Sequence, residues 1–333
     1  MAIDTALISE KYRARCVDPM GRRLLVTDFR HTQQEKDLTE PANCGGIGRV
    51  RHFRRETSSS WPANGLPIDP ACKALALPYQ DVIRAQVFQN AACNWRCWYC
   101  FVPFSLLGAD PKHSTWVTPA QLLDRYLDQP ERPAMIDLTG GEPSLLPEWV
   151  PWMMEELTRR GLQDSVYLWS DDNLSNEYYW TVLSDAERDR ITTYPKYGRV
   201  CCFKGIDAES FAFNTGAAPA EFELQFERMR TLIGTGMDLY AYVTLTTPAE
   251  VRLAEHVRGF VDRLQAIDVN LPLRTIPLEV RPFSPVRDRL NDQREQAMRH
   301  QQAAIRSWNE EIFARFDSEQ RRLRICDVPW GNR

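Results

Sequence analysis

Residues 93–100 read CNWRCWYC and place three cysteines, Cys93, Cys97 and Cys100, in one short loop at CxxxCxxC spacing. Thiolate is the soft ligand that iron–sulfur clusters select, and three thiolates can hold three irons of a cubane [4Fe–4S] cluster. The fourth iron then lacks a protein ligand and is open to a substrate. The spacing therefore predicts a metal cluster with one vacant coordination position.

A structural zinc site is the alternative use of such a loop. Structural zinc takes four protein ligands, whereas no CxxC or HxxxH pair follows the three cysteines, and His113 is the nearest later histidine. Three inert cysteines interleaved with Trp95, Trp98 and Tyr99 would also be unusual. We therefore favour the cluster over zinc and over plain packing.

A second motif, Gly140-Gly141-Glu142-Pro143, follows a short apolar run about one βα unit after the cysteines. Glycines at a strand end let the backbone approach a ligand closely. The tetrapeptide alone is a weak signal because Gly-Gly and Glu-Pro also form ordinary turns. Together with the cysteine spacing, and with Tyr99 directly before the third cysteine, it resembles the radical S-adenosylmethionine (SAM) superfamily.

The resemblance covers about residues 80–285 and has specific implications for function. In that superfamily the amino and carboxylate groups of SAM chelate the open iron, and the GGEP run bonds the SAM amino group. The resemblance implies reductive cleavage of SAM to methionine and a 5′-deoxyadenosyl radical, which takes a hydrogen atom from a substrate. It also implies an electron donor such as flavodoxin or ferredoxin.

The sequence leaves the substrate open, since a small molecule, a nucleotide or a peptide is compatible with the resemblance. Two other functions remain as alternatives. One is protein modification of the glycyl-radical-activating type. The other is a non-enzymatic metal-binding interaction module without affinity for SAM.

Polar residues at the end of the third predicted strand are candidate SAM contacts. These are Ser170, Asp171 and Asn173, and the run 171–174 resembles the DTNG of glycyl-radical-activating enzymes with Leu174 in place of glycine. The resemblance implies that Ser170 or Asn173 contacts the ribose or carboxylate of SAM. A helix N-cap for the following segment is the alternative.

Two cations follow later strands. Lys204 stands after the fourth strand, where the activating enzymes carry Asp-x-Lys, with Cys202 in the aspartate position. The resemblance implies that this lysine reaches the SAM carboxylate and acts with the three cysteines in catalysis. Arg281, after the sixth strand, could pair with a carboxylate of SAM or of the substrate. The alternatives are a solvated loop for Lys204 and a surface ion pair for Arg281.

From residue 82 onward, runs typical of strands alternate with runs typical of helices, including helices over 176–190 and 287–316. Six such units predict an α/β fold with a parallel sheet and right-handed crossovers. We expect a partial (β/α)6 TIM-like barrel. Active sites of such barrels lie at the carboxyl ends of the strands, which is where the motifs fall.

The same pattern divides the chain into three predicted segments. Residues 1–80 form an N-terminal cap or subdomain with one clear strand at 23–29, and partial disorder over 57–70 is an equal alternative to packing. Residues 81–285 form the barrel core. Residues 286–333 form a C-terminal helical extension.

Composition and charge limit the classes to which the protein can belong. The formal net charge is −4 over 333 residues, so no global basic field indicates nucleic acid. No apolar run of membrane-spanning length and no signal-peptide core occur, so we expect a soluble cytoplasmic protein without a membrane partner. Outside the loop, Cys16, Cys44, Cys72 and Cys326 are too far apart in sequence to favour an auxiliary cluster.

Basic residues form a local patch between positions 49 and 55. Its members are Arg49, Arg51, His52, Arg54 and Arg55. The patch could hold an anionic substrate such as a phosphate or a nucleotide. A solvated, alternating surface strand is the favoured interpretation.

Overall fold

The computed structural model describes residues 2–36 and 38–331. Within these ranges the strands form a seven-stranded central sheet and a separate three-stranded sheet. The strands are β1 (Val17–Asp18), β2 (Arg23–Thr27), β3 (Gly48–Arg54), β4 (Val82–Phe88), β5 (Ser114–Val117), β6 (Met135–Leu138), β7 (Tyr167–Asp172), β8 (Tyr197–Phe203), β9 (Leu239–Thr244) and β10 (Thr275–Leu278).

The central sheet confirms the predicted α/β class and partial barrel. Its strand order is β10-β9-β8-β7-β6-β4-β3. The six strands from β10 to β4 in this order run parallel, and the sheet is curled. β3, which comes from the predicted segment 1–80, pairs antiparallel with β4 at one edge. The division of the chain into three segments stays a prediction.

Helices flank and connect the strands, and most of them cover the outer face of the sheet. They are α1 (Thr5–Cys16), α2 (Gln33–Lys36), α3 (Ile68–Ala74), α4 (Pro119–Leu127), α5 (Trp149–Arg159), α6 (Tyr178–Thr181), α7 (Asp185–Thr193), α8 (Ala208–Thr215), α9 (Glu221–Ile233), α10 (Leu253–Ile267), α11 (Ser284–Arg287) and α12 (Asp292–Arg315). The prediction of one helix over 176–190 is wrong, because Ser184 and Glu187 form a capping box that begins a new helix, α7. Among the helices of residues 2–36 and 38–331, none combines the length and apolar character that a membrane crossing needs.

The two faces of the central sheet contribute to different cores, because successive side chains of a strand point to opposite sides. On the outer face, the ring of Phe203 lies 4.9 Å from that of Phe226 and 5.5 Å from that of Phe260. On the inner face, Trp169 packs 5.7 Å from Tyr240. Each such ring contributes about 2–3 kcal/mol through burial, so both faces stabilise the curled sheet.

Two chain segments, residues 61–74 and 325–330, close the amino end of the inner face. Leu66 is fully buried against that face. Arg274 Nη1 donates a 2.7 Å hydrogen bond to the carbonyl of Val328, which holds the second of these segments in place. The alternative of disorder over 57–70 does not hold, because Trp61 Nε1 donates a 2.8 Å hydrogen bond to the carbonyl of Pro277.

Candidate functional site

The cysteine loop, residues 89–102, follows β4 at the carboxyl end of the parallel strands. Backbone hydrogen bonds hold it on two sides: the N–H of Cys93 donates to Leu107 at 3.2 Å, and the N–H of Trp98 donates to Asn214 at 3.1 Å. Arg96 Nη1 donates to the carbonyl of Cys93 at 2.5 Å. These bonds fix the loop against the neighbouring segments of the chain.

The three thiols of this loop differ from the other cysteines in accessibility. Of the nine cysteines, all of which lie in the described ranges, Cys93, Cys97 and Cys100 are partly exposed and the other six are buried. Burial raises the pKa of each of the three thiols, that of Cys97 to about 11. Because a raised pKa disfavours the thiolate form, a bound cation is needed to favour it.

Cationic side chains approach the loop and favour negative charge on it. The charge of Lys204 lowers the pKa of both Cys97 and Cys100, against the larger effect of burial. Arg289, just before α12, donates to the carbonyls of Cys100 at 2.6 Å and Val102 at 2.8 Å. Sequence reasoning missed Arg289, since its role depends on a tertiary contact to a loop almost 190 residues away.

The loop supplies three thiols on one short segment, and thiolates are the soft donors that iron–sulfur clusters take. In the described part of the chain, no three His, Cys, Asp or Glu side chains come close enough together to hold one metal ion. Structural zinc takes four protein ligands, whereas this loop offers three cysteines. The chemistry of the donor set is therefore compatible with the [4Fe–4S] cluster, which stays a prediction.

The Gly140-Gly141 turn packs directly against the cysteine loop. Both glycines have positive φ, +79° and +63°, a conformation that other residues rarely adopt. A Cβ on Gly141 would lie 2.3 Å from the carbonyl oxygen of Asn90 and 2.6 Å from that of Ala92. The N–H of Glu142 donates to the same Ala92 oxygen at 2.7 Å. The absence of a side chain thus allows the two motifs to touch.

The carboxylate of Glu142 is bonded to backbone donors rather than left free for a ligand. It is buried, and it accepts hydrogen bonds from the N–H of Ser144 at 3.0 Å and of Asn173 at 3.2 Å. Burial, followed by the charge of Asp172, raises its pKa to about 8 against the opposing effect of the Ser144 donor. Glu142 therefore ties the end of β6 to the end of β7.

Ser170 and Asp171 lie on opposite faces of the sheet. Asp171 is on the inner face, where its carboxylate accepts a hydrogen bond from Thr139 Oγ1. The hydroxyl of Ser170 lies 2.7 Å from that of Tyr197, a member of the outer core. The structure therefore places Asp171 inside the barrel but does not bring Ser170 to the other predicted contacts.

Asn173 joins the end of β7 to the cysteine loop. Its Nδ2 donates to Asn94 Oδ1 at 3.0 Å, and its Oδ1 accepts from the N–H of Ser175 at 3.0 Å. The next residue, Leu174, has φ of +60°, which costs a non-glycine residue about 1–2 kcal/mol. The position that holds glycine in the DTNG pattern thus has a glycine-like backbone here as well.

Lys204 follows β8, and its ammonium lies among the side chains of Cys202, Tyr99 and Cys97. Burial lowers the pKa of Lys204, but the interactions with these three groups outweigh burial and raise it well above its ordinary value. Asn214 Nδ2 donates a 2.8 Å hydrogen bond to the carbonyl oxygen of Lys204. Because Asn214 also accepts a hydrogen bond from the cysteine loop, it connects this lysine to that loop.

Arg281 stands apart from these residues. It is exposed, and its Nη2 forms an ion pair with Glu279 at 2.6 Å. It lines a cavity at the open side of the sheet together with Arg49 and Arg51. The structure thus brings together the three cysteines, Tyr99, the GGEP turn, Asn173 and Lys204. Asp171 lies on the adjoining inner face. Ser170 and Arg281 lie outside this group.

No protein-family model and no curated protein matches the chain. Among solved structures, Streptococcus suis SuiB bound to the precursor peptide SuiA is 14% identical over 53% of this chain and 36% of that chain, with a TM-score of 0.36. SuiB bound to S-adenosylmethionine is 14% identical over 53% of this chain and 37% of that chain, with a TM-score of 0.37. Histidine-tagged anSMEcpe with bound AdoMet is 15% identical over 56% of this chain and 47% of that chain, with a TM-score of 0.38. The chain spans less than half the length of each of these structures.

Proposed function

We propose that this chain is a radical SAM enzyme in which Cys93, Cys97 and Cys100 hold a [4Fe–4S] cluster. The observation that carries the proposal is the position of these thiols, which are partly exposed on one loop beside the glycine turn and the Lys204 ammonium. When bound, the cluster supplies the electron for reductive cleavage of SAM to methionine and a 5′-deoxyadenosyl radical, which abstracts hydrogen from the substrate.

Residues around the loop bind and orient SAM. The Gly140-Gly141 turn lets backbone groups approach the SAM amino group. The charged Lys204 side chain is available to pair with the SAM carboxylate, and such charge-assisted bonds are among the strongest in proteins. On the inner face, Asp171 offers an acceptor for hydroxyl groups, and Tyr99 borders the cysteines.

Apolar side chains limit the access of water to the loop. Trp98 is 1% exposed and packs with Val280 and Val286, which come from the segment after β10. Trp98 Nε1 also donates a 3.0 Å hydrogen bond to Asn214 Oδ1. A dry site strengthens the electrostatic contacts and protects a reactive radical from side reactions.

The test is anaerobic purification of the full chain, reconstitution with iron and sulfide, and reduction in the presence of SAM. We expect about four irons per chain, an electron paramagnetic resonance signal of the reduced protein that changes when SAM is added, and release of 5′-deoxyadenosine. An electron donor such as flavodoxin or ferredoxin should replace the chemical reductant. A colourless, zinc-loaded protein that releases no 5′-deoxyadenosine would instead support the interaction module.

Cysteine variants connect the activity to the three thiols. Cys93→Ala, Cys97→Ala and Cys100→Ala should each abolish the release of 5′-deoxyadenosine and lower the iron content. Cys16→Ala is the matched control, because Cys16 is fully buried and lies far from the loop in sequence. A loop variant that keeps both full iron content and full activity contradicts the ligand assignment.

A further inference from the structure

The basic patch on β3 is only partly a surface feature. Arg49 and Arg51 turn toward the inner face of the sheet, whereas Arg54 is exposed. Arg49 is only 6% exposed, so the interpretation as a solvated strand is wrong for this residue. The reason is the pairing of β3 with β4, which makes β3 part of the barrel wall and directs alternate residues inward.

The guanidinium of Arg49 is buried but incompletely paired. Its Nε and Nη2 have no hydrogen-bond partner among the described residues. The guanidinium lies 5.7 Å from the ring centre of Phe29 and 5.1 Å from that of Phe101, contacts that place the group but do not neutralise it. Arg51 lies 4.1 Å from the ring centre of Phe53 and, within the described chain, also forms no ion pair. Burying a cation without an anion is costly unless a ligand supplies the anion.

Asp137 is a second buried polar group on this face without a partner. In the strand register Arg49 aligns with Val87, and Val87 aligns with Asp137, so the backbones of the two residues are two strands, or about 9.5 Å, apart. Asp137 is 1% exposed, and neither carboxyl oxygen has a hydrogen-bond partner in the described residues. Arg49 and Asp137 therefore lie on the same face of the sheet, and the described side chains form no ion pair between them.

A cavity of about 610 Å³ opens beside these residues, between β3 and the segment after β10. Its size falls within the range of about 300–1,000 Å³ that is usual for small-molecule sites. Among the described residues that line it, four are arginines and none is acidic. The principal lining side chains are Arg49, Arg51, Phe101, Arg281, Phe283 and Arg287. Since Phe101 directly follows Cys100, the cavity adjoins the cysteine loop.

We propose that this cavity binds the anionic group, a carboxylate or a phosphate, of a small-molecule substrate, with Arg49 and Arg51 as the residues that recognise it. The inference rests on the proposed function, because it names the substrate class of the same site. The residues expected to bind SAM follow β6, β7 and β8 in the middle of the sheet, whereas the two arginines lie on the edge strand, so both ligands have room to bind together.

The test measures binding by calorimetry to the full-length, reconstituted protein under anaerobic conditions. The probes are phenyl phosphate, phenylacetate and benzylamine, which share an aromatic ring and differ in charge, each with and without saturating SAM. We expect at least one of the two anions to bind at a single site, the benzylammonium ion not to bind, and SAM not to displace the anion. The anion that binds more tightly shows whether the site prefers a phosphate or a carboxylate as the anionic group of its substrate.

Arginine variants assign the binding to the cavity. Arg49→Met and Arg51→Met should each weaken anion binding at least tenfold, which corresponds to about 1.4 kcal/mol. Arg54→Met, on the same strand but exposed, should change it less than twofold. Arg49→Met should not lower the melting temperature, because the charge it removes has no partner in the fold. Should that variant fail to fold, Arg51→Met decides the matter alone, because Arg51 is only half-buried.

Three results would overturn the inference: neither anion binds, SAM displaces the bound anion, or anion binding survives in Arg51→Met. Measuring the release of 5′-deoxyadenosine by the same preparation distinguishes a failure of the anion-binding inference from a failure of the proposed function. If 5′-deoxyadenosine forms but no anion binds, the inference about the substrate is wrong. If anions bind as expected but SAM is not cleaved, the proposed reaction is wrong and the anion site stands.

Discussion

The backbone N–H of Asn173 donates a 3.2 Å hydrogen bond to the carboxylate of Glu142 and so joins the ends of two neighbouring parallel strands. The second carboxylate oxygen accepts from the N–H of Ser144 at 3.0 Å. Asn173 in turn reaches the cysteine loop through Asn94. Glu142, which the sequence marks as a ligand contact, thus holds together the framework on which the cysteines rest.

Substitution of Glu142→Gln should destabilise the protein. A glutamine side chain can accept only one of the two backbone hydrogen bonds and would direct its amide donor at the other N–H. We expect a loss of about 1–3 kcal/mol in the free energy of unfolding, measured by denaturant titration of the full chain at pH 5, where the raised pKa keeps the folded Glu142 uncharged and the ionisation penalty is small. Glu155→Gln, at a partly exposed position, breaks only surface ion pairs with Arg22 and Arg190 and should cost less than about 1 kcal/mol. Equal losses in the two variants would contradict a framework role for Glu142.

The close approach of the glycine turn to the cysteine loop can be tested with two matched glycines. Gly141 and Gly161 have similar positive φ values, +63° and +68°, but a Cβ on Gly161 would meet no atom within 4 Å. Gly161→Ala should therefore cost only the backbone strain of about 1–2 kcal/mol. Gly141→Ala should cost at least about 2 kcal/mol more, since its Cβ would collide with backbone carbonyls that cannot rotate away. Similar melting temperatures for the two variants would show that the turn does not need this contact.

Much of the fold and the core of the site could be predicted because their signals are local. Apolar periodicity gave the parallel strands and most of the helices that connect them. The cysteine spacing and the GGEP run each lie within a few residues and follow strand ends, so the topology brings them together. Lys204 could be predicted for the same reason, since it directly follows β8.

Residues that act through tertiary contacts could not be predicted in this way. Asn214 belongs to a run, residues 214–217, that resembles the activating enzymes. The bonds of its one buried side chain to Trp98, Lys204 and Thr246 nevertheless depend on tertiary packing and could not be predicted. Whether Arg49 is buried depends on which strand pairs with β3, and the sequence does not state that pairing. The assignment of Ser170 depended on which of two adjacent residues faces inward, and a shift of one residue reverses the face.

Asp137 should make the stability of the protein depend on pH. Burial, followed by the charge of Asp171, raises its pKa well above the usual range. A carboxyl group with a raised folded pKa destabilises the fold as it ionises, so this penalty grows as the pH rises above its unfolded value of about 4. The stability of Asp137→Asn relative to the parent protein should therefore increase between pH 5 and pH 8, measured by denaturant titration at each pH. The control Asp189→Asn, at an exposed position, should show no such trend. If the stability difference between Asp137→Asn and the parent protein did not change with pH, the Asp137 carboxyl would ionise at low cost.

Lys204→Met should separate SAM binding from cluster assembly. The Lys204 ammonium lies near Cys97 and Tyr99, and its loss would remove a charge-assisted bond worth about 1.5–3 kcal/mol. We expect SAM to bind at least tenfold more weakly, measured by titrating the spectroscopic signal of the reduced protein, while the iron content stays unchanged. Lys112→Met, in an exposed loop, is the control and should leave SAM affinity as it is. If Lys204→Met lost iron instead, the lysine would serve the fold of the cysteine loop. If it kept full SAM affinity, the carboxylate of SAM would need another partner, and the arginines that line the neighbouring cavity would be the first residues to examine.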